Sequence, residues 1–297
     1  MAEYIVENEQ LKIVVDDAGA ELKSIVRKLD QREYMWCGDA AYWGRVSPVL
    51  FPFVGKVKDG IYRFEGKEYT GIPQHGFARD SVFACTEKLQ DTIWFELRPD
   101  EMWKSNYPFQ FLFRVGYKIE GNSVHVMWNV INEDTKTMYF SLGAHPAFMC
   151  ENNSAQGQDK KVGCKIDLHA VNDTVTSGIL SQKGVLTEQT KELPLENGCY
   201  CITEDSFEQD ALILDSKEIH TVTLIDGEEK PFLQVRFDAP QLGLWSPVGK
   251  KAPFVCIEPW FGRCDRETFD GTLNEREYGN SLEPGHSFNK EYVIDIL

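Results

Sequence analysis

Long apolar runs are missing from this chain: nowhere do roughly 18 consecutive apolar residues occur, the length a helix needs to cross a bilayer. Basic residues are in deficit as well. There are 31 Lys and Arg against 47 Asp and Glu, and the resulting formal charge of −16 repels phosphate backbones and anionic lipid. Neither nucleic acid nor a membrane surface is therefore the expected partner. The opening MAEYIVENEQ holds no basic segment followed by an apolar stretch, so the expectation is a soluble, cytoplasmic protein. Cysteine is too thinly spread for a disulfide framework: eight thiols lie scattered among strand-like segments and read as reduced. Cys199 and Cys201 form one close pair without a second pair to complete a tetrahedral zinc site. Helical periodicity is scarce, and only DEMWKSNY, residues 100–107, reads as a short helix.

What the chain does have is strand. Short runs rich in Val, Ile, Phe, Tyr and Trp recur between Gly, Asn and Asp, the pattern of sandwiches and barrels. FLFRVGYKIE and SVHVMWNVIN, residues 111–120 and 123–132, flank Gly121 and Asn122 and predict a two-residue hairpin. A second tight hairpin is expected around Glu65 and Gly66. Further strands are expected at residues 11–15, 92–97, 164–171, 211–214, 221–225 and 232–237, and at the closing EYVIDIL. The architecture implied is all-β and antiparallel, with large sheets packed face to face in one domain spanning residues 1–297. The polar stretch ENNSAQGQDKK, residues 151–161, reads as a long surface loop beside a site.

Chemistry concentrates in QHGFARD (74–80), GAHPAF (143–148) and CIEPWFGRCD (256–265). In the second, Pro146 forces His145 toward extended geometry and ends the local ladder, so the imidazole is presented at a strand terminus. A histidine held this way suits general acid work near neutral pH; a backbone-satisfied structural histidine is the competing reading. Glu258 follows the apolar run PFVCI and precedes Pro259 and Trp260, where a carboxylate is costly to desolvate unless it is paired or used. A structural ion pair with Arg263 or another nearby cation is its alternative. His75 and Arg79 lie four residues apart, with Gly76 permitting close backbone approach. Arg45, Lys56 and Lys58 are candidate rim cations, Lys58 reading better as a solvated one. Trp260 is the aromatic best placed to lie beside Glu258, whereas Trp245 and Phe148 read more readily as core. His125, His169, His220 and His286 look structural. An iron site from His75, His145 and Glu258 has the right residue types but no independent metal signature, so no metal and no cofactor are expected.

Read together and in this order, HGFAR, GAHP and IEPW, preceded by FPFVGKVKDGIY, resemble the aldose 1-epimerase (galactose mutarotase) superfamily, most closely its bacterial LacX-like branch. The resemblance runs from LKIVVDDAGAELKSI to LEPGHSFNKEYVIDIL. It implies a single large antiparallel β-sandwich of the galactose mutarotase type, a supersandwich, with a shallow open sugar cleft. It implies His145 as general acid, Glu258 as general base and His75 as a residue positioning the ring oxygen. Lys56 stands where the galactose mutarotases have arginine, and Arg45 and Arg79 match better the cations of the branch acting on hexose 6-phosphates. The hydroxyl-holding aspartate of the family matches Asp210, with Asp215 a strand-length away.

The function implied is interconversion of the α and β anomers of a free aldohexose by cofactor-free ring opening and reclosure. The ligand is then a small sugar, possibly phosphorylated, and the protein a monomer or homodimer. Acid and base are expected to face each other across a gap the width of one pyranose, their mutual field keeping the histidine charged and the glutamate ionised. Two alternatives stand beside this: a hexose-6-phosphate 1-epimerase with Arg45 and Arg79 on the phosphate, and a non-catalytic carbohydrate-binding protein on the same fold.

Overall fold

The computed structural model describes residues 2–152, 159–216 and 218–297. Two large sheets dominate. A nine-stranded sheet is centred on the hairpin Phe111–Glu120 and Ser123–Asn132, with Ser287–Ile296 pairing the outer side of the second strand. An eight-stranded sheet is centred on Phe254–Phe261. All pairings between strands are antiparallel among the described residues.

The alternation in the sequence dictates the packing. In Ser123–Asn132, Val124, Val126, Trp128 and Val130 are buried while His125, Met127 and Asn129 face outward. From the inner faces, Phe113 stacks on Phe51 at 4.5 Å and Trp128 meets Phe261 edge-on at 6.4 Å. Truncating Trp128 to alanine would cost about 3–5 kcal/mol, the range for deleting a large buried ring. One continuous hydrophobic cluster runs from Val6 to Ile296.

The two anticipated hairpins form with different turn chemistry. At Gly121–Asn122 only the glycine takes a left-handed φ, 59°, whereas Glu65 and Gly66 both do, at 50° and 73°. Those are the two mirror-image turn types that match strand twist. The short helix is Glu101–Lys104, capped by the Asp100 side chain accepting from the Trp103 N–H at 2.9 Å. The strand expected over 164–171 shortens to Lys165–Asp167. His169 leaves it with a left-handed φ of 50°. Of the expected 151–161 loop, residues 153–158 lie outside the described residues, while Asp159 and Lys161 at its far end are buried as an ion pair.

Phe254–Phe261 differs most from the sequence reading. It does not stop at Glu258 but continues through Pro259 and Trp260, buried along its whole length. Proline is tolerated there because the neighbouring chain is itself interrupted between Leu142–Ala144 and Ala147–Met149, so the missing N–H leaves no rung empty. That interruption is His145–Pro146. The break that accommodates Pro259 on one strand is thus the break that presents His145 on the other.

Candidate active site

A cleft of about 770 Å³ opens over this interruption. His145 and Glu258 lie in it, with Nε2 of the imidazole 3.4 Å from Oε2 of the carboxylate and both residues more than nine-tenths buried. Acid and base are therefore neighbours, not partners facing across a sugar ring as expected. The geometry suits a hemiacetal, whose ring oxygen and anomeric hydroxyl share one carbon. Neither carboxylate oxygen of Glu258, nor Nδ1 of His145, has a hydrogen-bond partner among the described residues.

Burial decides the protonation of this pair. It pushes the Glu258 carboxyl well above its ordinary 4.5, with the negative charge of Asp210 adding to the effect and the Trp260 indole opposing it. It also brings the His145 imidazole down to about 3, helped by the positive charge of Arg79 and weakly by Arg45, with its own backbone opposing. Burial thus works against the expected pairing of a charged histidine with an ionised glutamate.

His75 completes the acid–base cluster, its ring 5.6 Å from that of His145 and set edge to face. Two reciprocal bonds with Gly55 fix it: the His75 N–H donates to the Gly55 carbonyl at 2.8 Å, and the Gly55 N–H donates to Nδ1 at 3.1 Å. Nδ1 is thereby an acceptor, so a neutral His75 carries its proton on Nε2; the Gln74 side chain, 3.2 Å away, accepts that proton only with its amide oxygen turned toward the ring. Burial, then His145, Arg79 and Arg45, holds the ring well below its usual pKa. The backbone requirement is met by Gly76, where a Cβ would lie 2.2 Å from the Phe51 carbonyl oxygen.

Arg79 lines the cleft, donates to the Gln74 carbonyl at 2.6 Å, and is brought down to about 10 by burial and by Arg45, Asp80 opposing. Arg45 does not line it: its guanidinium is held by the Asp80 carboxylate at 2.7 Å. Lys56 lies on the wall, donating to the Lys183 carbonyl at 3.1 Å. Asp210 is on the rim, whereas Asp215 lies off the cleft, accepting from the Tyr278 hydroxyl at 3.1 Å. Trp260 forms part of the floor, donating to the Ala144 carbonyl at 3.2 Å and filling the space that Gly143 and Gly243 leave. Phe148 is core. Arg263, the alternative partner for Glu258, instead pairs with Glu277.

The metal reading rearranges. The potential donors that come together are His145, Cys256 and Glu258, their ligand atoms all within 4.8 Å, with Cys256 in the place His75 was expected to take. Burial, with the charge of Glu258 adding to it, pushes the Cys256 thiol well above its ordinary 9.0.

Sequence reasoning missed Trp43 and set Trp245 aside as core. Trp43 stacks on His145 at 4.8 Å and 28°, and Trp245 meets the same imidazole edge-on at 5.4 Å. The available signal was position: Trp43 lies two residues before Arg45, just ahead of a segment singled out for its cations.

An open cleft with a buried imidazole and carboxylate thus sits on an antiparallel sandwich, and the comparisons identify the family. The aldose 1-epimerase family model matches residues 3–294, and the chain belongs to that family. It is 33% identical over 297 residues to the chromosomal protein LacX of Lactococcus lactis subsp. lactis, covering 98% of each chain. Among solved structures it is similar to a galactose mutarotase related enzyme from Lactobacillus acidophilus, with 33% identity, a TM-score of 0.91 and coverage of 100% and 97%. A galactose mutarotase-like protein from Lactobacillus casei ATCC 334 gives 28% identity, a TM-score of 0.92 and full coverage of both chains. The fold is thus the antiparallel β-sandwich of the galactose mutarotase type, and the protein falls in a carbohydrate epimerase superfamily. Among the described residues no helix is long and apolar enough to cross a membrane.

Proposed function

We propose that this protein is an aldose 1-epimerase acting on an unphosphorylated aldohexose, with His145 as general acid and Glu258 as general base. The observation that carries the reading is the buried 3.4 Å approach of the two side chains in an open cleft. Sugar binding brings the pair to its ionic form, the proton moving from carboxyl to imidazole with no change in proton count. Glu258 then takes the proton of the anomeric hydroxyl while His145 gives one to the ring oxygen, and the bond between that oxygen and the anomeric carbon breaks. Rotation about the bond to the second carbon and reclosure, with both transfers reversed, yields the other anomer. Ring opening returns the pair to neutral carboxyl and neutral imidazole, the state burial favours, so desolvation assists the bond-breaking step.

His75 is placed to donate from Nε2 to a sugar oxygen, with Asp210 and Arg79 gripping hydroxyls and Trp260 beneath the ring. The phosphate reading weakens because Arg45 is spent on Asp80 outside the cleft, while Glu208 and Asp210 line it. The test is proton NMR of freshly dissolved α-glucose, α-galactose and α-glucose 6-phosphate. Accelerated exchange on a free hexose supports the assignment. Faster exchange on the phosphate, or saturable sugar binding with no acceleration on any substrate, would replace it by one of the two alternatives.

A further inference from the structure

A general-acid histidine is ordinarily oriented by a hydrogen bond to its second ring nitrogen. His145 lacks one: its Nδ1 is buried with no partner among the described residues. Something else must aim the ring at Glu258. We propose that Trp43 is the positioning residue for His145, holding the imidazole by face-to-face packing and stabilising its protonated form when it serves as acid. The inference rests on the epimerase reading above.

The indole is well fixed for this task. The Trp43 backbone carbonyl accepts from the Trp36 indole N–H at 2.9 Å, and the Trp43 backbone N–H donates to the Asp39 carbonyl at 2.9 Å. Lys250, from the segment following Trp245, donates to the carbonyls of Ala41 and Tyr42 at 3.2 and 2.9 Å. The segment that supplies Trp43 and the turn that follows strand Gln241–Trp245 are thereby tied together, and the two indoles meet at 5.4 Å. Phe254 backs Trp43 at 5.9 Å. The imidazole thus packs against both indoles, one stacked and one edge-on, and their contacts restrict its direction.

The face also has an electronic consequence. Five ionisable neighbours bear on His145: Glu258 and Cys256 from the central strand, His75 across the cleft, and Arg79 and Arg45 beyond it. Of these, only ionised Glu258 favours a charged ring, while the two arginines and burial oppose it. A π face at stacking distance attracts a cation, and so adds to the support that ionised Glu258 and the ring's own backbone give the charged form.

The experiment compares Trp43→Phe and Trp43→Leu with the parent in kcat and KM for anomer exchange across pH, with thermal melts as the folding control. The leucine variant should lose kcat by about tenfold, the size of a partly desolvated cation–π contact, with KM little changed. Its alkaline limb should move to lower pH, because a less stabilised imidazolium deprotonates earlier. Phenylalanine, which keeps a ring face, should recover most of both effects; it also serves alone should the leucine variant fail to fold, showing a smaller loss in the same direction. Equal kcat and an unmoved limb in the folded variants would overturn the proposal. So would a raised KM at unchanged kcat, which would make Trp43 a sugar platform. A parent protein inactive on every aldose sinks the epimerase reading itself, a different failure from an active parent whose Trp43 variants match it.

Discussion

On the outer face of the nine-stranded sheet, polar side chains meet one another. Arg236 forks onto Asp295 at 2.6 and 3.1 Å, Asn129 donates to Asn289 at 2.7 Å, and His125 lies 3.3 Å from Glu291. In the eight-stranded sheet the reverse holds: Glu258 and His145 are nearly inaccessible, and three of their polar atoms have no hydrogen-bond partner. The first region uses polarity for solubility and register, at little cost because water shares the load. The second holds costly polarity in place without satisfying it, and such a site persists only if the surrounding packing outweighs the penalty. The costly polarity at Glu258 and His145 supports a working role for this pair.

The largest test of that contrast is chemical. Glu258→Gln keeps shape and burial but removes the base, and His145→Asn removes the acid; each should lower kcat for anomer exchange by about a hundredfold to ten-thousandfold, the worth of one positioned proton transfer. Circular dichroism should show both variants folded. Near-parent exchange in either would mean that the unpartnered pair is not the working pair.

A buried pair that is satisfied should behave in the opposite way. Asp265 and Arg276 are each 3% exposed at the side chain and meet at 2.6 Å, while the second carboxylate oxygen accepts from the Lys58 N–H at 2.8 Å. Asp265→Ala strands a guanidinium, and should cost about 3–5 kcal/mol in denaturant unfolding. Unchanged stability would break the contrast between satisfied and unsatisfied burial.

Glu258→Gln has a second, smaller consequence. The folded-state pKa of Glu258 is raised, so above the ordinary 4.5 the native protein holds a proton that the unfolded chain releases. The stability this group contributes is complete below 4.5 and is lost as pH rises. His145 has the opposite sign: its folded value of about 3 lies below the ordinary 6.5, so its contribution is lost as pH falls through that window. Replacing the glutamate should therefore stabilise by about 0.5–2 kcal/mol near neutrality, with the advantage growing between pH 5 and pH 8. Thermal melts at the two pH values decide it; an advantage that shrinks with rising pH contradicts the raised carboxyl.

Much of this was legible in the sequence, for identifiable reasons. Strict alternation in residues 123–132 and the glycines at 66 and 121 left little choice of strand face or turn. Pro146 announced the interruption that exposes His145. What stayed hidden was long-range. The wall of the cleft at residues 179–184 comes from Thr174–Leu180 and Leu186–Pro194, an edge hairpin too polar to show a buried face. Pro259 argued for a strand end, because the compensating gap lies on a segment more than a hundred residues away. Trp43 looked like any loop aromatic, since only folding brings it to His145. The protonation of the acid–base pair was misjudged because the motifs carry the charges but not the depth of burial.

The smallest effect belongs to the satisfied surface. Arg236 is half exposed, and its fork onto Asp295, together with the Ser123 hydroxyl at 2.6 Å, lowers that carboxylate's pKa against the penalty of burial. Asp295 keeps the serine bond when the arginine is removed, so no buried charge is stranded. Arg236→Ala should then cost about 0.2–1 kcal/mol, the range for exposed ion pairs. The sign with pH follows from the lowered value: the pair's contribution is present above the ordinary 3.8 and disappears as acid protonates Asp295. Added salt should screen it further, while leaving the Asp265–Arg276 pair nearly untouched, because buried charges are screened far less. Urea titrations of both variants at low and high salt measure the difference directly, and an equal salt response would erase the distinction between the two regions.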